Sequence, residues 1–178
     1  MNLQRYSRVT VIGCGLIGAS FALAFKRIEP RSVVAGWDSP PEVLRAALQQ
    51  GVIEKVDDAF VSGGVSESDL IYLAMPVKAI IEFLKNRGAQ IKPSALITDA
   101  GSTKKEICGA AREHLPYDRM FIAGHPIAGS EHAGLSYARA NLFTAAPYVL
   151  LIVAHQLFGD AERFAGVMAV QATKRNGR

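Results

Sequence analysis

Cysteines and long apolar runs are both scarce in this sequence. Only two cysteines, Cys14 and Cys108, occur in 178 residues, which is too few for a disulfide framework or a four-cysteine zinc site. The longest apolar run, 145–154, has ten residues and contains a proline, whereas a transmembrane helix needs about 18. The first residues lack an apolar stretch followed by a cleavage site, so we expect no secretory signal. These absences favour a cytoplasmic protein without a membrane partner.

Acidic residues are absent from both ends of the chain, so the net charge of +4 comes from the two ends. Two arginines lie in 1–8 and three basic residues lie in 174–178, with no aspartate or glutamate in either segment. The rest of the chain is therefore slightly acidic. A nucleic-acid groove needs basic residues clustered on one face, so we expect no nucleic-acid partner. Apolar residues make up 49% of the chain, enough to bury a core, which excludes a disordered chain.

The apolar pattern alternates between strand-like and helix-like periods along the chain. Short, mostly apolar runs are typical of strands buried on both faces of a parallel sheet, and the segments between them have helical spacing with proline or glycine at their ends. Strands are predicted at 8–12, 32–38, 70–74, 95–99, 120–124 and 148–153, and helices at 16–27, 42–50, 77–87, 103–114 and about 160–172. This order predicts a single doubly wound, mostly parallel α/β domain of the Rossmann type over 1–178, with its core at about 8–153.

A glycine-rich turn, G-x-G-x-x-G, directly follows the first predicted strand and opens the first helix. Gly13 allows the tight turn, Gly15 leaves no side chain between the backbone and a pyrophosphate, and Gly18 allows the helix to pack closely on the strand. Leu16 and Ile17 lie in the first turn of the helix, where free N–H groups and the helix dipole favour phosphate. The pattern predicts a dinucleotide-binding site, against the alternative of an ordinary strand-to-helix turn.

An acidic residue, Asp38, ends the second predicted strand, twenty residues after Gly18. A carboxylate at this place accepts hydrogen bonds from both hydroxyls of the adenosine ribose. It also repels the 2′-phosphate that distinguishes NADP from NAD. Asp38 therefore predicts NAD as the cofactor rather than NADP.

Three further loops carry unusual residues at the carboxyl ends of predicted strands, where open α/β sheets bind their ligands. Pro76 holds Met75 extended, which suits either a cofactor contact or a normal strand-to-helix turn. Ser102 precedes a predicted helix, and capping that helix is its better-supported role, although a capping serine can also serve a site. His125 ends an apolar strand and is held extended by Pro126, so it is a candidate proton acceptor or a structural side chain. No histidine pair has the spacing of a metal site.

Five segments occur in a distinctive order, and the last two are the most specific: VIGCGLIGAS, VVAGWD, LAMPV, TDAGSTK and GHPIAGSEHAG. In this order, over about 9–153, the chain resembles the prephenate/arogenate dehydrogenase family. The resemblance implies an NAD-linked oxidative decarboxylation of prephenate or arogenate in tyrosine biosynthesis, so the partner is a small-molecule substrate. In that reaction hydride leaves the ring carbon that bears the hydroxyl, CO2 is lost and the ring becomes aromatic.

The resemblance also implies roles for particular residues. His125 matches the family's catalytic histidine, which accepts a hydrogen bond from the ring hydroxyl, and Ser102 matches the serine that helps to hold that hydroxyl. Ser130 and Glu131 match positions that line the substrate entrance. The residues that match the cofactor grip and the wall beside it are Gly13, Gly15, Gly18, Asp38, Met75 and Pro76.

Members of this family continue into an all-helical domain that forms a homodimer and supplies an arginine for the substrate carboxylate. We expect this chain to lack that domain, and the contacts that distinguish prephenate from arogenate lie largely there. The alternative to an active enzyme is therefore a dinucleotide-binding module without turnover of its own. A third interpretation, a β-hydroxyacid dehydrogenase on the same fold, is disfavoured by segment 124–131, because a lysine on a second helical domain would be expected instead.

Overall fold

Strands and helices alternate along residues 6–152, the part of the chain that this computed structural model describes. The strands are β1 Arg8–Ile12, β2 Val33–Trp37, β3 Lys55–Val56, β4 Leu70–Leu73, β5 Leu96–Asp99, β6 Met120–Pro126 and β7 Tyr148–Ile152. The helices are α1 Leu16–Ile28, α2 Pro41–Gln49, α3 Ala59–Ser62, α4 Val77–Arg87 and α5 Lys105–His114, with short 3-10 helices at Gly88–Gln90 and Leu135–Tyr137. The result is the doubly wound α/β architecture that the sequence predicts.

The strands form one sheet in the order β3-β2-β1-β4-β5-β6-β7. β1 lies between β2 and β4, and the first six strands are parallel. The chain moves outward from β1 on one side and continues from β4 on the other, so a crevice opens between the carboxyl ends of β1 and β4. β7 runs antiparallel to β6 and pairs Val149 with His125 and Tyr148 with Pro126. The loops singled out in the sequence follow β1, β4, β5 and β6, at this same edge.

Apolar side chains on both faces of the strands bury the sheet between two layers of helices. In β4, Leu70 and Tyr72 pack into one layer of the core with α1, whereas Ile71 and Leu73 pack into the other layer with α4 and α5. All four side chains are fully buried. Phe21 of α1 stacks on Tyr72 with the ring centroids 3.8 Å apart, which holds the first helix against the middle of the sheet.

Most predicted elements are present with bounds shifted by one or two residues. The apolar pattern does not predict β3 and α3, because two and four residues are too few for a period to show. β6 continues to Pro126, two residues beyond its predicted end, because β7 pairs with its last residues. The helix predicted at about 160–172 lies outside the described residues. Between residues 6 and 152, no helix is both long enough and apolar enough to cross a bilayer.

The start of α5 differs from the prediction, and this changes the role of Ser102. The helix begins two residues later than expected, with Lys104 as its N-cap, and no side chain in the described part of the chain caps it. The preceding loop is held instead by the Asp99 carboxylate, which accepts a hydrogen bond from the N–H of Gly101 (2.8 Å). The expectation that Ser102 caps this helix is therefore wrong, and its side chain is exposed in the loop.

The two edges of the sheet differ in length and in exposure. β3 has two residues, whereas β7 has five. Val149 and Leu151, which lie on the same face of β7, are 46% and 48% exposed. Among the described residues, one edge of the sheet is therefore short, and the other presents apolar side chains.

We expect Gly18→Ala to destabilise the fold. A β-carbon on Gly18 would overlap the carbonyl oxygen of Gly13 and lie 2.8 Å from Cγ1 of Val11, so α1 would have to move away from β1. Overpacking of this kind lowers the free energy of unfolding by about 1–3 kcal/mol. Urea-induced unfolding measures the difference from the wild-type chain.

Gly109→Ala is the matched control for that substitution. Gly109 is exposed within α5, and outside that helix no atom of the described residues lies within 4 Å of the place where a β-carbon would be. Alanine is the better helix former by about 1 kcal/mol, so this variant should be more stable than wild type. A Gly18→Ala variant as stable as wild type would contradict the close packing of α1 on β1.

Candidate active site

The glycine-rich turn after β1 lies against the end of β4. Gly13 has a φ of +92°, a left-handed conformation that glycine adopts without strain, and its N–H donates to the carbonyl oxygen of Trp37 (2.9 Å). A β-carbon on Gly13 would lie 2.6 Å from the carbonyl oxygen of Ala74 and 2.8 Å from Cγ of Met75. The turn therefore occupies the crevice between β1 and β4 with Met75 beside it. Pro76 is exposed and is the N-cap residue of α4.

Gly15 and the first turn of α1 form an open cradle. Apart from its chain neighbours, no described residue has an atom within 4 Å of a β-carbon built on Gly15. No side chain of residues 6–152 caps α1, and its first turn contains no acidic residue. Uncapped N–H groups at a helix start bind anions well. The backbone of Gly15, Leu16, Ile17 and Gly18 therefore fits the pyrophosphate of a dinucleotide.

Asp38 is tied to the same turn. Its Oδ2 accepts a hydrogen bond from the N–H of Cys14 (2.8 Å), and its Oδ1 accepts one from the N–H of Ser39 (2.8 Å). The side chain is half-buried, and an ionised carboxylate has about four lone-pair sites, so it can still accept ribose hydroxyls. Burial, and secondly the charge of Asp38, raise the pKa of the Cys14 thiol to about 12. That thiol is therefore protonated and unreactive at neutral pH.

His125 and Ser102 lie at the ends of adjacent strands. His125 is part of β6, opposite Val149 of β7, and its side chain is half-buried. Its Nδ1 atom is buried without a hydrogen-bond partner among the described residues. Because buried ring nitrogens normally have a partner, this atom is a candidate for a ligand contact. Ser102 is exposed in the loop after β5, the strand that pairs with β6.

Asp99 and Lys104 connect the loop that carries Ser102 with β6, which carries His125. Sequence reasoning did not identify either residue. The Asp99 side chain is fully buried; its Oδ2 accepts the N–H of Gly101 (2.8 Å) and its Oδ1 the N–H of Gly124 (3.1 Å). The ammonium of Lys104 forms an ion pair with Oδ2 and donates to the carbonyl oxygen of Gly124 (2.5 Å). Burial raises the pKa of Asp99, although Lys104 and both amides favour the charged form. The available signal was a charge ending an apolar strand, with the opposite charge five residues later.

The two predicted entrance residues, Ser130 and Glu131, lie in the exposed loop after β6. Oγ of Ser130 accepts a hydrogen bond from the N–H of His132 (3.2 Å), and Oε1 of Glu131 is 3.7 Å from Nε2 of His132. Among residues 6–152, no hydrogen bond or ion pair connects Ser130 or Glu131 to His125 or Ser102. The structure thus places the predicted cofactor residues around one turn and connects the two catalytic candidates through Asp99, but it shows no hydrogen bond from the predicted entrance residues to them among residues 6–152.

Comparison with known proteins shows a match over most of the chain. Residues 21–171 match the family described as the nucleotide-binding domain of prephenate dehydrogenase. The prephenate dehydrogenase of Bacillus subtilis (strain 168) is 38% identical over 148 residues, which are 83% of this chain and 40% of the relative.

Solved structures of related enzymes have the same fold. The prephenate dehydrogenase of A. aeolicus, in complex with hydroxyphenyl propionate and NAD+, is 25% identical with a TM-score of 0.85, covering 94% of this chain and 58% of the other. The arogenate dehydrogenase of Synechocystis is 27% identical with a TM-score of 0.82 and the same coverage. This chain spans about half the length of the relatives it matches. Because residues 21–171 are most of the chain, the chain belongs to the prephenate dehydrogenase family and corresponds to the nucleotide-binding domain of that family.

Proposed function

We propose that this chain is the cofactor-binding and catalytic half of an NAD-dependent dehydrogenase that oxidatively decarboxylates prephenate or arogenate in tyrosine biosynthesis. One observation carries the proposal: the open turn at Gly15 and the unpartnered Nδ1 of His125 lie at the ends of parallel strands of one sheet. Ligands of such sheets bind at that edge. The A. aeolicus relative holds NAD+ and a hydroxyphenyl compound, which supports the same ligand classes here.

The cofactor is assigned to the β1–β4 side of the edge. Uncapped N–H groups at the start of α1 bind the pyrophosphate, and the free lone pairs of Asp38 accept the ribose hydroxyls while its charge disfavours NADP. When bound, NAD supplies the acceptor for the hydride that leaves the substrate. The proposed cofactor-binding residues are Gly13, Gly15, Leu16, Ile17, Gly18, Asp38, Met75 and Pro76.

His125 is the proposed proton acceptor. As hydride leaves the ring carbon, the hydroxyl on that carbon becomes acidic, and the neutral imidazole accepts its proton. Cleavage of the bond to the carboxyl group releases CO2 and leaves an electron pair that completes the aromatic ring. The imidazole then returns the proton to the ring oxygen, which becomes a phenol. Aromatisation provides most of the driving force, so the protein mainly orients the reacting groups.

Ser102, Ser130 and Glu131 are proposed to contact the substrate. The Ser102 hydroxyl caps no helix and is exposed beside β6, so it is available to hold the ring hydroxyl together with His125. Ser130 and Glu131 are exposed in the loop that follows β6 and are proposed to line the substrate entrance. In the complete enzyme we expect a cytoplasmic homodimer, and the buried, free thiols of Cys14 and Cys108 suit a reducing compartment.

A dinucleotide-binding module without turnover is the second candidate function, because the chain covers 40% of the B. subtilis relative. Oxidation of prephenate and of arogenate with NAD, followed by the absorbance of the reduced nicotinamide, decides between the two. The assay is run on this chain and on a fusion to the remaining part of that relative. Turnover by either protein supports the dehydrogenase, NAD binding without turnover in both supports the module, and no nucleotide binding contradicts both.

Gly15→Ala should weaken NAD binding without destabilising the protein. Residues 6–152 leave free space at this position, and φ is −75°, which alanine adopts readily, so among these residues the methyl group meets nothing and would collide with the bound pyrophosphate. We expect a loss of about 1–3 kcal/mol of binding free energy. Calorimetric titration and thermal unfolding measure the two effects. An unchanged NAD affinity would place the pyrophosphate elsewhere.

Asp38→Asn should reduce the preference for NAD over NADP. Asparagine keeps an oxygen that can accept the N–H of Cys14, so the turn is preserved while the charge is removed. Loss of the charge-assisted bonds to ribose should cost about 1.5–3 kcal/mol of NAD binding, and NADP should no longer be repelled. Titration of both proteins with both nucleotides checks this. Tighter binding of NADP than NAD by the wild-type chain would contradict the assignment.

His125→Asn should lower kcat about 10²–10⁴-fold in whichever protein turns over, the usual range for acid–base assistance, with NAD affinity unchanged. Ser102→Ala should lower kcat less and should leave stability unchanged, because Ser102 caps no helix. His114→Asn, at the end of α5, is the matched control and should retain activity. Undiminished turnover in His125→Asn would remove its catalytic role and leave only the dinucleotide site.

A further inference from the structure

β5 ends on Asp99, whose fully buried carboxylate lies between the loop that carries Ser102 and the strand that carries His125. Its two oxygens accept hydrogen bonds from different segments of the chain. Oδ2 accepts the N–H of Gly101, directly before Ser102, and Oδ1 accepts the N–H of Gly124, directly before His125. One carboxylate therefore holds the backbone next to both catalytic candidates.

Lys104, the N-cap residue of α5, reinforces the same connection. Its side chain is only 14% exposed, and its ammonium bonds both the Asp99 carboxylate and the carbonyl oxygen of Gly124 (2.5 Å). The N–H and the carbonyl group of Gly124 are thus both held by this ion pair. His125 follows directly, so its backbone has little freedom to move relative to the loop after β5.

Gly124 is also closely packed against the end of β5 and the start of β7. A β-carbon there would lie 2.7 Å from the carbonyl oxygen of Asp99 and 2.7 Å from Oη of Tyr148. The Tyr148 hydroxyl donates to that same carbonyl oxygen (3.3 Å). The ends of β5 and β6 and the start of β7 therefore meet at one point beneath His125.

Stability alone is a poor explanation for this ion pair. Removing two charges from water is costly, and apolar side chains of similar volume often stabilise a protein as well as a buried pair does. The pair contributes positioning instead, because the two carboxylate oxygens accept hydrogen bonds from the loop after β5 and from β6 at the same time. The neighbouring Lys105 shows the usual behaviour of a lysine, with an exposed side chain.

We propose that Asp99 and Lys104 are positioning residues, which set the distance between the Ser102 hydroxyl and the His125 imidazole so that both reach one substrate hydroxyl. The inference rests on the proposed function for the roles of Ser102 and His125. Neither Asp99 nor Lys104 needs to touch the substrate. Their contribution acts through the backbone at Gly101 and Gly124.

The test uses three variants of this chain, labelled with 15N for NMR. Lys104→Met removes the cation and leaves the buried carboxylate without its partner. Asp99→Asn/Lys104→Met removes both charges and keeps one carbonyl oxygen in place of the carboxylate. Lys105→Met is the matched control, because it removes an exposed cation one residue further along α5.

We expect stability and positioning to separate in these variants. Lys104→Met lowers the unfolding temperature because it leaves an unpaired buried charge, and the double variant recovers most of that loss. A single carbonyl oxygen cannot hold both amides, so the amide hydrogen of Gly101 or Gly124 exchanges about tenfold faster in the double variant, the effect of one lost hydrogen bond. The Ser102 amide and His125 ring signals shift in the double variant, and NAD affinity is unchanged.

Two results would overturn the proposal. If the Ser102 and His125 signals of the double variant match those of Lys105→Met, the pair serves stability only. If signals across the whole sheet, including that of Val11 in β1, shift as much as those of Ser102 and His125, the pair supports the fold in general. These signals require neither substrate nor turnover, so failure of the proposed dehydrogenase activity is detected separately. If Lys104→Met does not fold, the test rests on the double variant, because that variant has no unpaired charge at positions 99 and 104.

Discussion

Close packing of the main chain after β1 leaves no room for a β-carbon at Gly13 or Gly18, and the rest of the fold depends on this contact. Gly18 lies against the carbonyl oxygen of Gly13, and Gly13 lies against Ala74 at the end of β4. This close approach brings α1 onto the sheet, where Phe21 stacks on Tyr72. It also fixes the crevice between β1 and β4, so the packing that stabilises the core also shapes the glycine-rich turn that we propose binds the nucleotide.

Elements long enough to show a period are the ones that the sequence predicts well. β1 and α4 have their predicted bounds, whereas the hydrogen bond from the N–H of Cys14 to Asp38 is a finding of the structure. β3 was missed because two residues carry no period. The prediction that Ser102 caps α5 was wrong, because it used only the local preference of serine for helix starts. In the structure the Asp99 carboxylate holds that loop through the N–H of Gly101. The two opposite charges, five positions apart, were a signal for the ion pair. The four loop residues between them have no regular geometry, so the sequence could not predict the contact itself.

The candidate site has two parts with separate supports. The carboxylate of Asp38 accepts a hydrogen bond from the turn after β1, whereas that of Asp99 accepts hydrogen bonds from the loop after β5 and from β6. No residue is shared between these two sets of hydrogen bonds. A substitution of one carboxylate therefore leaves the hydrogen bonds of the other in place. Under the proposed function, nucleotide preference and substrate chemistry can change independently in this domain.

The unequal edges of the sheet have a consequence for self-association. An exposed strand edge is a template for pairing with another chain, and short strands protect against this. β3 offers two residues for pairing, whereas β7 offers five, with Val149 and Leu151 exposed beside the edge. Any aggregation of the described domain through its sheet is therefore directional: it starts at β7, and a charged residue at Val149 or Leu151 would act as a gatekeeper against it.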